Sequence, residues 1–369
     1  MAKAFGIVTS CSDRKVKGMT DYRPVGAFNF LGRFRVIDFP VSNFSNSGIE
    51  DIQAILSSNP RALANHLGDG RAHNLNSKRG GIEILFSAPS QLNTIYNTNV
   101  AAFKENIVAI KRKTQEYVVI APSSYVFIAD YEELLAQHIA SGADITMLYH
   151  ATDKADERYN GCTLVDVADG KITGYATNMG DKAEANVFMD SYIMKKDLLV
   201  ELVEAATEIS SRYSLVDVIM AKLEDLDVAA AAHTGYFATI VDLKAYYECN
   251  LGLLNPAETA ELFKPEWPIY TRMTDSWPTE FYAGADVKNS YVCNSGDISG
   301  KIEGSIVGRG VKVAKDAVIK NCIVLSYVEV GEGAYLENQV IDRYAKISAG
   351  VKIVGDAADP GYIRYRDTI

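Results

Sequence analysis

Through residue 250, short apolar runs alternate with amphipathic stretches. Residues 5–9, 51–56, 117–121 and 144–149 read as buried strands, and 97–111 and 131–140 carry the spacing of helices. Strand alternating with helix predicts a mostly parallel sheet covered on both faces, with ligands at the carboxyl ends of its strands. From residue 251 the pattern loosens. Pro256, Pro265, Pro268 and Pro278 fall here with both tryptophans, Trp267 and Trp277, which suits an extended connector. Beyond it the period becomes six: Val307, Val313 and Ile319; Val318, Val324, Val330 and Leu336; Ile341, Ile347 and Ile353. With glycines just after branched apolar residues, this predicts a parallel β-helix rather than a plain β-sandwich. The expected division is an α/β domain over 1–250, a connector over 251–286 and a β-helix with its tail over 287–369.

Composition narrows the function classes. The 369 residues carry 37 basic and 47 acidic side chains, a net charge of −10, with no basic block, so a nucleic-acid or anionic-membrane surface is not expected. A local group of arginines could still hold a small anion. No apolar run approaches a membrane span, the first residues read as a strand rather than a cleavable signal, and a cytoplasmic location is expected. The five cysteines are scattered without CxxC spacing, so neither a disulfide framework nor a zinc site is indicated. His66, His73, His138, His150 and His233 show no ligand spacing and read as structural or solvated. No histidine follows His233, which argues against the acyltransferases that use a general-base histidine in such coils.

The most informative stretch is 32–49, GRFRVIDFPVSNFSNSGI. Arg33 and Arg35 alternate with apolar neighbours and leave one face of a short extended segment, either solvated or suited to an anion. Asp38, Ser42, Asn43 and Asn46 offer helix-capping chemistry. This stretch resembles the glucose-1-phosphate adenylyltransferases (ADP-glucose pyrophosphorylases), which carry a similar GKFRIIDF.LSN..NSGI segment. The resemblance continues through Asn65-His66-Leu67-Gly68, Gly80-Gly81, 116–120, Asp130-Tyr131, Ala245-Tyr246-Tyr247 and Trp267-Pro268-Ile269. It implies a Rossmann-like, GT-A-like nucleotidyltransferase domain of mixed sheet joined to a left-handed parallel β-helix.

Against that family the departures fall on the chemistry. The glycine-rich nucleotide loop of catalytic members, whose backbone closes around a triphosphate, corresponds here to Ser10, Cys11, Ser12, Asp13, Arg14 and Lys15, without a glycine. The two family aspartates that hold magnesium correspond to Ser124 and Thr239, and a hydroxyl does not replace a carboxylate as a Mg²⁺ ligand. The family's G-T-A turn aligns with Thr98-Asn99-Val100, its E-K-P segment loosely with 175–178, and its S-H-D-F-G segment with 211–215.

The resemblance therefore implies no catalytic residue and no metal or cofactor held by this chain, with Mg²⁺ only at a catalytic partner. It points to the regulatory, GlgD-type subunit, which supports a catalytic glucose-1-phosphate adenylyltransferase subunit of glycogen biosynthesis within a tetramer. A phosphate-sized effector site is expected at Arg23, Arg33 and Arg35, closed by Arg364 or Arg366. The alternatives are an active nucleotidyltransferase rewired through Asp13, Asp130 or Asp190, the last at a position that is glycine in catalytic members, and a sugar-phosphate or nucleotide sensor without turnover.

Overall fold

The computed structural model describes residues 3–10, 14–76, 78, 80–88, 97–209 and 212–369. A nine-stranded sheet runs, from one edge, through Gly81–Phe86, Asp51–Leu56, Ala4–Ser10, Tyr117–Pro122, Ala185–Lys195, Ile145–Thr152, Val228–His233, Lys171–Thr177 and Thr163–Ala168. The first four are mutually parallel. The sheet as a whole is mixed rather than mostly parallel, because Ala185–Lys195 runs antiparallel to both neighbours and Thr163–Ala168 and Lys171–Thr177 pair antiparallel at the far edge.

Both faces are covered, as an apolar strand run requires. Ile37, Val41, Phe44, Leu63 and Leu67 pack on one face. Phe103, Leu199, Leu202, Leu215 and Ile219 pack on the other. The helix expected over 97–111 is two, Asn99–Glu105 and Ile107–Lys111, parted at Asn106, whose side chain donates to the carbonyls of Phe86 and Ala102. Its N-terminus is capped by Thr98 Oγ1, which accepts from Ala101 N.

The carboxyl part is a three-sided β-helix whose sheets are parallel stacks of short strands, the first strand being Glu280–Phe281. Ile302, Ile319, Leu336 and Ile353 lie in register, as do Val307, Val324 and Ile341. Ile319 rather than Val318 is the buried member of its strand, so the six-residue step shortens by one in each turn of the coil. The sheet domain and the coil share a core: Phe28, Phe30, Phe39, Tyr246 and Leu253 pack with Ile306, Ile323, Leu325 and Val340. That shared core fixes the two halves against each other and forms the floor between them.

Candidate functional site

Two places carry the chemistry that the sequence singles out. The first is the carboxyl edge of the sheet, where Tyr125–Phe127 pairs antiparallel with Phe237–Thr239 and sets Thr239 opposite Tyr125. Ser124 and Thr239 are buried. Thr239 Oγ1 lies 3.6 Å from Cys162 Sγ. Arg14 Nη2 donates to the same sulfur at 3.5 Å and to Tyr125 OH at 3.4 Å. Tyr125 OH in turn donates to Asp190 Oδ2 at 3.1 Å.

Asp190 sits where the register of its strand shifts between Phe188 and Tyr192, with φ of 48°, a conformation that glycine adopts most readily. Burial raises the Asp190 carboxyl, opposed by Arg14. Burial alone would weaken the Arg14 charge, but Tyr125, Cys162 and Asp190 outweigh it and raise its pKa. The centre thus holds a guanidinium among a phenol, a thiol, hydroxyls and a single carboxylate, Asp190, which accepts from Tyr125 and faces the Arg14 charge. It does not fit a hard divalent cation, which takes several carboxylate and carbonyl oxygens and is repelled by a guanidinium. Of the expected loop, Ser10 is buried, with its carbonyl accepting from Ser57 Oγ at 2.6 Å, and Lys15 is exposed. Cys11, Ser12 and Asp13 lie outside the described residues. Asp130 is spent as a helix cap, accepting from Glu132 N and Glu133 N.

The second place is a cavity of about 210 Å³ between the two halves. Arg33 and Arg35 reach it from the hairpin of Asn29–Phe30 and Phe34–Arg35, Arg272 from the connector, and Arg309 and Arg343 from the coil. The Nε atoms of Arg309 and Arg343 are buried without a hydrogen-bond partner. Arg35 donates to the Ala62 carbonyl at 2.6 Å, and Arg272 donates to the carbonyl of Asn65. Burial, then the neighbouring Arg343, lowers the Arg35 pKa to about 10. Burial and Arg23 lower that of Arg343. Cations that depress one another in a concave, partly desolvated site favour an anion.

Arg23 is placed differently from the expectation. It is buried and its Nη2 donates to both Asp342 oxygens, at 2.7 and 2.9 Å. Arg366 lies over the rings of Tyr344 and Tyr365, and Arg364 is exposed; neither lines the cavity. Arg272, Arg309 and Arg343 were not legible as site residues. The available signal was recurrence: Arg309, Ser326 and Arg343 each precede a corner residue of positive φ, Gly310, Tyr327 and Tyr344, in successive coils.

Behind the arginines, Asp38 is fully buried. It accepts from Arg35 N at 2.8 Å through Oδ2, and its Oδ1 lies 2.5 Å from His66 Nε2 and 2.9 Å from His73 Nε2. Burial would raise its pKa, but the two imidazoles hold the carboxyl well below the usual range. Two histidines without evident spacing in sequence therefore meet on one carboxylate, at hydrogen-bonding distance. Nor do the residues expected to cap the helix Asp38–Asn46 do so. Ser42 Oγ accepts from Tyr270 N, Asn43 Oδ1 from Trp267 Nε1, and Asn46 Nδ2 donates to the Pro268 carbonyl, tying the connector to the sheet.

A mixed sheet of this topology carrying a hexapeptide coil is the architecture of a nucleotidyltransferase domain joined to a β-helix. The nucleotidyl transferase family model matches residues 12–255, and the GlmU-like C-terminal hexapeptide model matches 279–366, the repeat of left-handed β-helices. A glucose-1-phosphate adenylyltransferase of Fervidobacterium nodosum is 28% identical over 348 residues, 93% of this chain and 84% of the relative. The glycogen biosynthesis protein GlgD of Geobacillus stearothermophilus is 30% identical over 82% of this chain and 78% of its own length, and that of Bacillus subtilis is 28% identical over 83% and 79%. The chain belongs to this family of glucose-1-phosphate adenylyltransferases and GlgD proteins. No helix among the described residues is long and apolar enough to cross a membrane.

Proposed function

We propose that this chain is a non-catalytic, regulatory subunit of a glucose-1-phosphate adenylyltransferase of glycogen biosynthesis. The observation that carries the reading is Arg14. Its guanidinium lies against Tyr125 and Cys162, next to Thr239, at the centre to which the family resemblance assigns the metal carboxylates. Nucleotidyl transfer needs positive charge that moves with the phosphates, supplied by a metal held on carboxylates. An arginine engaged with Tyr125 and Cys162 does not take the place of such a metal, and Asp190, the carboxylate nearest to a rewired role, already accepts from Tyr125.

The arginine cavity supports the regulatory half of the reading. It lies between the sheet domain and the coil, so an anionic effector held by Arg33 and Arg35 on one side and Arg309 and Arg343 on the other binds only while the two halves keep this arrangement. Such a ligand shifts the assembly toward whichever state holds those arginines together. The partner is a catalytic subunit of the same family, within a tetramer. The test is pyrophosphate release from ATP and glucose 1-phosphate with Mg²⁺. The purified chain should give no turnover above background. Added to a catalytic subunit it should co-purify and change both the rate and the response to phosphorylated effectors.

A further inference from the structure

Asp38, His66 and His73 come from three neighbouring pieces of the fold: the first turn of the helix Asp38–Asn46, the end of the helix Arg61–Leu67 and the single turn Arg71–His73. Asp38 and His73 are fully buried, and His66 is nearly so. The two imidazole rings cross at 77° with centroids 5.8 Å apart, so they do not stack, and both Nε2 atoms meet Asp38 Oδ1, at 2.5 and 2.9 Å. One donor atom from each of the three residues lies within 4.8 Å of the others, and among the described residues no other set of three histidines, cysteines and carboxylates converges in this way.

We propose that Asp38, His66 and His73 are the protein ligands of a divalent transition-metal ion of the Zn²⁺ class. The argument is the donor set. Two imidazoles and one carboxylate suit zinc, whereas magnesium and calcium take oxygen ligands. Zinc bonds of about 2.0 to 2.2 Å in a tetrahedron place the donors roughly 3.3 Å apart, so Oδ1 and each nitrogen need to separate by less than about 1 Å.

The surroundings suit that exchange. Asp38 Oδ2 accepts from Arg35 N at 2.8 Å, which orients the carboxylate and leaves Oδ1 to the metal. His73 Nδ1 is buried with no hydrogen-bond partner, so no bond fixes the tautomer of the ring: the proton passes to Nδ1 and Nε2 offers its lone pair. His66 lines the arginine cavity, which supplies an entry path and a water for the fourth position. The Arg35 guanidinium is engaged by the Ala62 carbonyl at 2.6 Å, unlike that of Arg14, which sits against the donor groups of its own centre. A bound ion ties the helix Arg61–Leu67 and the turn Arg71–His73 to the segment that carries Arg35. This inference concerns a structural ion, goes beyond the regulatory reading and does not depend on it.

The test uses the full-length chain freed of metal with a chelator, and Zn²⁺ and Co²⁺ as probes. Wild type is expected to bind one equivalent, to show visible Co²⁺ absorption that added Zn²⁺ abolishes, and to melt at a temperature that rises with the logarithm of free Zn²⁺. His66→Asn and His73→Asn should each weaken binding beyond the roughly 10- to 100-fold that loss of an outer partner costs. His233→Asn, at the histidine pair formed with His150 at 3.4 Å, should leave binding unchanged. Circular dichroism checks that the variants fold. X-ray absorption at the zinc edge of wild type needs no variant and should show two imidazole ligands. No stoichiometric binding by wild type, binding unchanged in folded His66→Asn and His73→Asn, binding lost in His233→Asn, or a zinc spectrum without imidazole would each overturn the proposal.

Discussion

Arg23 and Asp342, 319 residues apart, form a buried ion pair that joins the sheet domain to the coil. Asp342 also accepts from Tyr362 OH at 2.7 Å and from Arg343 N at 2.6 Å, while the Arg23 guanidinium lies 5.4 Å from the Phe28 ring centroid. Arg343, next in the chain, lines the arginine cavity. The pair that locks the halves together and the group that would hold an effector are thus covalent neighbours.

Breaking that pair leaves one charge buried without its partner. Arg23→Met or Asp342→Leu should each cost about 3 to 5 kcal/mol, and the double replacement should recover much of the loss. Urea denaturation of the four proteins checks this. Equal, additive losses would show that the two residues do not act as a pair.

In the cavity, Arg343→Ala or Arg309→Ala should weaken binding of a phosphorylated effector while leaving the fold intact. Binding to wild type should fall as salt rises and should raise stability in proportion to the logarithm of ligand concentration above Kd. Calorimetry with inorganic phosphate and sugar phosphates, repeated at two ionic strengths, makes the measurement.

Arg14 carries the third prediction. Arg14→Met removes the cation that opposes the rise in the Asp190 pKa, and should lower the melting temperature, whereas adding Asp190→Asn should restore part of the loss. Ser124→Asp with Thr239→Asp should bind Mn²⁺ poorly while Arg14 remains, because the guanidinium neutralises the introduced carboxylates.

Acid should destabilise the fold before the carboxylates titrate. Burial lowers the His233 pKa to about 4 and also lowers those of His66, His138 and His150. These histidines bind protons more readily unfolded than folded, so their contribution is complete above the unfolded value, about 6.5, and declines as pH falls from there toward the folded values. For His233 the loss across pH 6.5 to 4 is on the order of 1 to 3 kcal/mol. Denaturation at pH 7 and pH 5 should show it, and His233→Asn should flatten the slope. Asp38, held low by His66 and His73, adds a further loss only below its unfolded value.

The sequence pattern and the structure agree where the signal is periodic. Val307, Val313, Ile319, Val324 and Leu336 lie in the coil's core because each turn must bury an equivalent position. The 97–111 helix is divided by a polar break at Asn106, and the shortened step in each turn leaves Ile319 rather than Val318 in the core, features that a regular period does not show. The sites were harder to read because they are assembled by contact across long separations. Arg33 and Arg35 stood out in one stretch, but Arg272, Arg309 and Arg343 join them only when the coil folds back on the sheet. Arg23 has the same chemistry in sequence, and only burial beside Asp342 separates its role from theirs.

The central claim is that this chain regulates and does not catalyse. It is tested most directly by pyrophosphate release with ATP, glucose 1-phosphate and Mg²⁺, measured for the chain alone, a catalytic subunit alone and the mixture. The account predicts background for the first and an altered rate and effector response for the mixture, with the effector response lost in Arg343→Ala. Turnover by the chain alone at the rate of the catalytic subunit would contradict it.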